Sequence, residues 1–463
     1  MGTLNASLNI AVGAMVADQT ALSTTSNNIA NANTPGYSKE TAELTEAPAI
    51  QYGGFVLGNG VQVEQVTSQR SSLLQAQLDQ ETQHQGQYNS YLSTMNQAQA
   101  LFNETSGTGL QSSITGFFNS LQQLSTDPTN TSLRQGVLTA AQNLAQGFNN
   151  ASSNLTSLQQ SANTTVTQTV SQINSLTTQI AKLNGEVSAA VSTGQNASSF
   201  QDQRDQLVNQ LSGLVDLSEI DAGNGSLTLT TTGGTSLVVG TQSYNLSTKA
   251  SSNGFQDVYS QGSDITSSIT GGSLGGAIQV RDTTIPSILS TLDSLASSIS
   301  SSVNSVNQAG TDLNGDQGGN IFSTPPSGVT GAAGSISVTL TDPTKIAASL
   351  DGSTGDNSNL TAMLAIQNQA SVNGQTPLNA YSSLVYQIGN DVSSVQSELS
   401  GSQALSTQLQ NQIGAVSGVS INEEAANLIQ YQQAYEAAAQ VASVINTLTA
   451  TAINIGQTVT ATG

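Results

Sequence analysis

A chain of 463 residues is long enough for about two to four domains, at least one of them with a sizeable core. Only 8% of the residues are charged, and 29 acidic against 8 basic side chains give a formal net charge of −21. Phosphate neutralisation needs clustered Lys and Arg, so nucleic acid is excluded as a partner and anionic membrane surfaces are disfavoured; zero cysteines remove disulfides, thiol catalysis and thiolate metal sites.

The opening segment, Met1-Gly-Thr-Leu-Asn-Ala-Ser-Leu8, has no cationic stretch and alternates apolar with polar residues, so no secretory signal is expected. Residues 4–33 read as one amphipathic helix: Leu8, Met15, Leu22 and Ile29 recur every seven, with Leu4, Ala11 and Val12 beside them, and Thr34-Pro35-Gly36 ends the run. So narrow a repeat suits a seam against another helix.

About 64–105 and 110–215 are rich in Gln, Ser, Asn, Leu and Ala, and Val166, Val170, Ile173, Leu176, Ile180, Leu183 and Val187 fall at helical spacing, which predicts long helices. Asp127-Pro128 reads as a helix start, with Asp capping and Pro at the first helical position. From about 216 the pattern changes. Asn224-Gly225 and Gly233-Gly234 flank Ser226-Leu-Thr-Leu-Thr230, and Thr235-Ser-Leu-Val-Val239 follows, predicting a hairpin-built β insertion that continues through Gly271-Gly-Ser-Leu-Gly-Gly276. Helical period returns over 282–309 through Ile285, Ile288, Leu292, Leu295, Ile299, Val303 and Val306. A loop over 310–333 carries Pro325-Pro326, Ser335-Ile-Ser-Val-Thr-Leu340 reads as one more strand, Asp342-Pro343 opens a short helix, and 378–416 reads as a long polar helix.

The last helix starts at a marked place: Ser420-Ile-Asn-Glu423 reads as a capping box, and Glu424 adds negative charge where the helix dipole favours it. Leu428, Tyr431, Tyr435, Ala438, Ala442, Ile445 and Ala452 then follow three-four spacing, while Gln440, Ser443, Asn446, Thr447 and Thr449 interrupt the tail too often for a bilayer span. The expected fold is mainly α with a β insertion: a long-helix rod with paired N- and C-terminal coiled-coil helices and a small all-β outer domain. The expected division is a terminal coiled-coil domain (1–60 plus 418–463), a helical rod domain (61–215 plus 276–417) and a β-rich outer domain (216–275). The expected assembly interface sets Leu8, Met15, Leu22 and Ile29 against Leu428, Tyr431, Tyr435 and Ile445.

Catalytic chemistry finds little purchase. His84, the single histidine, sits on a predicted helix as a solvated residue, so no Ser-His-Asp arrangement is available. Asp79/Glu81 and Glu423/Glu424 sit on polar helices with no apolar surroundings in sequence to raise a pKa, and read as surface or capping charge. Asp312-Leu-Asn-Gly-Asp316 imitates the start of a calcium loop, but Gln317 stands at its sixth position and Ser323 at its twelfth, so a polar turn is expected. No catalytic, cofactor or metal residue is assigned. With so few charges, assembly is expected to be indifferent to pH between neutral and acid.

Ser26-Asn-Asn-Ile-Ala-Asn-Ala-Asn-Thr-Pro-Gly-Tyr37 resembles the N-terminal signature of bacterial flagellar rod, hook and first hook-associated proteins, whose core falls here on Ala30, Asn31, Thr34, Pro35, Gly36 and Tyr37. The stretch from Gly418 to Gln440, with Ile421-Asn-Glu-Glu-Ala-Ala and Gln433-Ala-Tyr435, is similar to the flagellar hook-associated protein 1 (hook-filament junction) family of axial proteins. Three internal stretches agree with that family: Leu124 to Leu138, Gly276 to Asp282, and Ser335 to Ser349 leading to Gly355-Asp-Asn357. A hook subunit shares both terminal motifs and is the alternative; a polysaccharide hydrolase grafted onto an axial protein lacks clustered carboxylates in the central insertion. The resemblance implies a secreted structural subunit of the extracellular flagellum, exported unprocessed through the type III apparatus and self-associated in a ring between hook and filament. The implied partners are the hook subunit, the second hook-associated protein and an export chaperone at the C-terminal helix. The sequence departs from the family in its poverty of charge, Gln430 standing where Arg is common.

Overall fold

The computed structural model describes residues 2–52, 55–103, 107, 109–324 and 329–460; the predicted Pro325-Pro326 loop segment lies outside them. The helices are α1 (Gly2–Asn31), α2 (Ser72–Leu101), α3 (Leu110–Thr126), α4 (Thr131–Ser192), α5 (Ser198–Ser212), α6 (Gly272–Gln279), α7 (Ile285–Ala309), α8 (Ala332–Ser335), α9 (Ser358–Ala365), α10 (Pro377–Ser417) and α11 (Ile421–Thr460). The strands are β1 (Glu40–Glu46), β2 (Ile50–Tyr52), β3 (Phe55–Leu57), β4 (Val61–Ser68), β5 (Ser218–Asp221), β6 (Leu227–Thr230), β7 (Ser236–Val239), β8 (Gln242–Ser243), β9 (Leu246–Ala250), β10 (Gln256–Ser260) and β11 (Ser263–Asp264). The architecture is mainly α with the β segments inserted, as the sequence patterning predicts. Two compact units divide the chain: residues 1–83, 172–246 and 403–463 form the first, and 84–171 and 247–402 the second.

In the first unit α1 packs extensively along α11. The pairing joins the two terminal helices, and on α1 small residues rather than the heptad positions sit deepest. Ala11, Ala17, Ala21, Thr24, Thr25 and Asn28 are the buried residues of α1, and Leu8, Met15, Leu22 and Ile29 flank them half-buried. Close approach through alanines trades side-chain area for short interhelical distance. β1 and β4 pair antiparallel from Glu40↔Ser68 to Glu46↔Val61, with a bulge between Glu43 and Leu44, and β2 pairs with β3. The patterning over 40–68 gives no warning of these strands, because Glu, Thr and Gln dominate them.

A four-stranded antiparallel sheet in the order β5-β6-β7-β8 completes this unit. It is held to α4 by amide side chains that act as strand neighbours. Asn184 accepts from the Leu227 amide at 3.1 Å and donates to the Leu227 and Gly240 carbonyls at 2.7 and 2.9 Å. Outside this sheet, Asn174 likewise bonds both backbone groups of Leu246, the first residue of β9, each at 2.8 Å. These bonds satisfy edge groups that water would otherwise have to reach.

The second unit carries the large core, in which Phe117 meets Phe118 and Phe322 edge-on at 5.4 and 5.6 Å between ring centroids. Of the α7 positions predicted by period, Ile285, Ile288, Leu292, Leu295, Ile299 and Val303 are buried and Val306 is half-buried. Three expectations are corrected here. Asp127 closes α3 instead of opening α4, whose amides at Ser132 and Leu133 are capped by Asn130 at 3.0 and 3.2 Å; Pro128 lies in the turn between. The Gly271–Gly276 run is not strand but the start of α6: a Cβ on Gly276 would stand 2.3 Å from the Gln87 carbonyl oxygen, so glycine permits a close helix approach. Residues 335–340 form no strand, only an isolated bridge of Val338 to Phe322, because Asn304 already bonds the Ile321 and Phe322 amides.

Between α6 and α7 a π-helical turn spans Val280–Thr284 and buries Arg281 completely. Its guanidinium forks onto Asp282 at 2.7 Å and donates to the Gln256 carbonyl at 2.6 Å and Asn163 at 3.0 Å. Arg134 is likewise buried, bonding the Pro128 carbonyl at 2.7 Å and the Ile346 carbonyl at 2.6 Å. Replacing Arg134 by Ala strands these carbonyls and leaves a void. The second unit is expected to lose about 3 kcal/mol, read by urea denaturation, and Arg134→Lys to recover little because one ammonium cannot reach both carbonyls.

Candidate functional site

The family-motif residues form the turn that follows α1. Thr34 Oγ1 donates to Asn31 Oδ1 at 3.2 Å, and the Tyr37 amide closes onto the Thr34 carbonyl at 3.2 Å. Pro35 presets the first central position of this turn, and the second, Gly36, has φ +77°. A Cβ on Gly36 would also fall 2.2 Å from Gln206 Nε2, which donates to the Pro35 carbonyl. Ala30 is exposed, a linking position on the last turn of α1.

The turn aims Tyr37 back at Asn28, which is 1% exposed and uses its whole hydrogen-bonding capacity. Asn28 Oδ1 accepts from the Tyr37 hydroxyl at 2.8 Å and the Glu40 amide at 2.9 Å; its Nδ2 donates to the Glu40 carbonyl at 2.8 Å and to Glu424 Oε2 at 3.0 Å. One side chain thus joins α1, β1 and α11. Burial, with Glu40, Asp202 and Glu424 close by, pushes the Tyr37 phenol well above its ordinary pKa, so it stays a donor. Lys39 adds the charge: its ammonium stands 3.0 Å from Glu423 and 3.2 Å from Glu424, and its amide donates to the Ser417 carbonyl at 2.8 Å. Partial burial works against that charge, but the two carboxylates prevail and raise the Lys39 pKa.

A second ring ties the same turn to α5. Ser38 donates to Asp202 through its hydroxyl at 2.9 Å and its amide at 3.2 Å, and Arg70 binds Asp202 and, at 2.8 Å, Asp205. The Glu40 carboxylate accepts from Asn196 at 2.9 Å. The residues that organise this hub, Asn28, Glu40, Arg70, Asp202 and Glu424, escape a reading by period. The available signal was Asn28 falling on the buried face of a helix where an apolar residue belongs.

Two readings of charge are corrected. Glu424 is not a surface charge near a helix start but a 2% exposed acceptor for Asn28 and Lys39. The Ser420 hydroxyl does cap the Glu423 amide, at 3.5 Å, while the Glu423 carboxylate goes to Lys39 instead of completing a capping box. Asp79 is buried at 1% exposure, and burial raises its pKa to about 6. His84 is half-buried and stacks on Tyr88 at 6.1 Å. In the Asp312 turn the Lys345 ammonium lies 2.7 Å from Asp316 and 3.2 Å from Asp312, in the place a cation would take. Among the described residues no group of three or more His, Asp or Glu is arranged to hold a metal ion.

Of the expected interface positions, Leu428, Tyr431 and Tyr435 are half-buried on α11 and Ile445 is buried. The same helix leaves a second apolar stripe uncovered: Val441, Val444 and Leu448 are 52%, 59% and 51% exposed, continuous with exposed Ala437 and Ala452. Val12 and Val16 of α1 are also exposed. No described helix is long and apolar enough to cross a membrane.

Paired terminal helices locked by an Asn-centred turn, with apolar stripes left facing outward, define an axial assembly subunit. Residues 8–37 match the flagella basal body rod protein family, 414–455 the C-terminal family of flagellar basal body rod FlgEFG proteins, and 95–322 the helical domain of the flagellar hook-associated protein FlgK. The chain is 30% identical to flagellar hook-associated protein 1 of Bacillus subtilis strain 168, over 96% of this chain and 97% of the relative. It is 27% identical to the protein of that name from Escherichia coli K12, over 97% of this chain and 99% of the relative. The fold is similar to that of the flagellar hook junction protein FlgK from Burkholderia pseudomallei, with TM-score 0.66 and 21% identity over 74% of this chain and 100% of the other. The chain belongs to the flagellar hook-associated protein 1 family.

Substituting Gly36 by Ala forces an L residue into a left-handed turn and its methyl into Gln206; a cost of about 2 kcal/mol in the first unit is expected, checked by chemical denaturation. Because Lys345 already neutralises the Asp312 turn, excess calcium or a chelator is expected to leave the melting temperature unchanged, checked by calorimetry.

Proposed function

We propose that this chain is a structural subunit of the bacterial flagellum that joins hook to filament. Family membership along nearly the whole chain carries the reading, and the match of residues 95–322 to the FlgK helical domain favours it over a hook subunit. The terminal domain, 1–60 with 418–463, is the polymerising part. Within one chain α1 and α11 cover each other through alanines, threonines and Asn28. The stripe Val441, Val444 and Leu448 then remains for a second copy in a ring, because an apolar helix face of this length gains stability only when another helix covers it.

The work is geometric adaptation between two tubes, with no reaction. The buried carboxyls are taken up within the chain: Glu424 by Asn28 and Lys39, Asp202 by Ser38 and Arg70, Glu40 by Asn196, and Asp79 by Asn209 and Gln75. The hook subunit and the second hook-associated protein are the proposed neighbours, and an export chaperone shields Ile421 to Ile445 before assembly. Export follows the type III route without cleavage, placing the protein outside the cell.

Electron microscopy of cells lacking the gene, with flagellin assayed in the medium, is expected to show complete hooks without filaments and flagellin lost to the medium; missing hooks would instead make this the hook subunit. In complemented cells Val444→Asp, on the exposed stripe, is expected to leave the chain folded and abolish filament attachment; Leu22→Glu and Leu428→Glu, at the intrachain seam, are expected to abolish it while leaving the central domains folded. Normal filaments on Val444→Asp cells would refute the stripe as an assembly surface.

A further inference from the structure

Asp79 belongs neither to the hub nor to the assembly surface, yet it is among the most deeply buried carboxyls of the first unit. It projects from α2 toward α5 and β5. Its Oδ1 accepts from Asn209 Nδ2 at 2.6 Å and from Gln75 Nε2 at 3.2 Å, and Asn209 is fixed by a second bond to the Thr82 hydroxyl at 3.1 Å. Another carboxyl, Glu219 of β5, lies beside Asp79, with Asp205 near both.

Two carboxyl groups in contact cannot both ionise without strong repulsion, so a proton between them is the low-energy arrangement. The donors decide where it sits. Amide N–H groups from Asn209 and Gln75 need an acceptor, which makes Asp79 the carboxylate and Glu219 the acid that donates to it. Among the described residues the two nearby guanidinium groups are engaged chiefly elsewhere, although Arg204 Nε has no hydrogen-bond partner and lies 3.7 Å from Asp205. Arg204 faces Glu219, but its Nη1 is committed to the Gly225 carbonyl at 2.7 Å and Asn184 at 3.2 Å. Arg70 is held by Asp202 and Asp205, and Asp205 adds negative charge toward both members of the pair. Glu81, two residues along α2, and Asp221, two along β5, are acidic as well.

We propose that Asp79 and Glu219 form a proton-sharing carboxyl latch that fastens the β5-β6-β7-β8 sheet to α2, strengthening the first unit in mildly acid medium and loosening it in mildly alkaline medium. The sign follows from linkage. Burial and the neighbouring Asp79 and Asp205 charges raise Glu219 to about 7 in the folded chain, above its unfolded value. The stability it contributes is therefore complete below the unfolded pKa and is lost as pH rises through the folded one. Asp18, Asp202 and Asp205, also raised by burial, act in the same direction.

The test uses the full chain and does not depend on its role in the flagellum. Urea unfolding is followed from pH 5.5 to 8.5, with hydrogen exchange over 72–83 and 218–230 reporting on the latch. The folding equilibrium of this unit is expected to fall roughly 30-fold across that range in the wild type. Glu219→Gln keeps a donor toward Asp79 at every pH, so it is expected to flatten the profile and to exceed the wild type at pH 8.5. A Glu219→Gln profile parallel to the wild type, or weaker than it at pH 8.5, overturns the proposal. If Glu219→Gln does not fold, infrared spectroscopy of the wild type decides: a protonated-carboxyl band present at pH 6 and lost by pH 8.5 supports the latch, and its absence at pH 6 overturns it.

Discussion

One buried amide, that of Asn28, ties together α1, β1 and α11. Asn28 bonds both backbone groups of Glu40, as a neighbouring strand would, and spends its last donor on Glu424, 396 residues away in sequence. Closing so long a loop costs conformational entropy that grows only slowly with length, so a few fully satisfied, buried bonds suffice to fix the register of the two terminal helices. A buried carboxylate would be costly alone. Asn28 and Lys39 together compensate it, and Tyr37, delivered by the Pro35-Gly36 turn, saturates the amide on its other side.

The same device recurs where a more highly charged protein would place ion pairs. Asn174 and Asn184 dock strands on α4; Asn304 bonds the backbone of Ile321 and Phe322, Asn307 donates to Gly319 at 2.7 Å and accepts from the Ala347 amide at 2.9 Å, and Asn359 donates to the Ala347 carbonyl at 2.8 Å. Neutral amides carry a donor and an acceptor on one short stem, and their desolvation costs far less than that of an ion. A chain with 8% charged residues can therefore fasten loops and strands to helices specifically. The few arginines, Arg70, Arg134, Arg204 and Arg281, are spent on backbone carbonyls and on one or two carboxylates each, three of them in buried positions.

Period made the long helices legible: the apolar positions of α7 and those of α4 from Val166 to Val187 fall on buried or half-buried faces, and the two terminal helices pack together. It misled where contacts between distant segments decide. The alanines of α1 pack deeper than its heptad leucines because α11 comes close, and the Gly271–Gly276 run looks like hairpin sequence until the Gln87 backbone explains it. Strands β1 and β4 stay hidden because their exposed faces are polar and their partners are each other. The hub was half legible. Its turn announces itself as Thr-Pro-Gly-Tyr, whereas Glu424 could not be told from an ordinary first-turn acid until Asn28 and Lys39 were placed beside it.

A double-mutant cycle between Asn28 and Glu424 probes this closure most directly. Unfolding free energies of wild type, Asn28→Ala, Glu424→Gln and the double variant are compared in the full chain. If the amide–carboxylate bond sets the pairing of the terminal helices, the two substitutions couple by more than about 1 kcal/mol, the double variant losing less than the sum of the singles. Strict additivity would mean that α1 and α11 find each other through their alanine faces alone, and that the hub follows the pairing instead of fixing it.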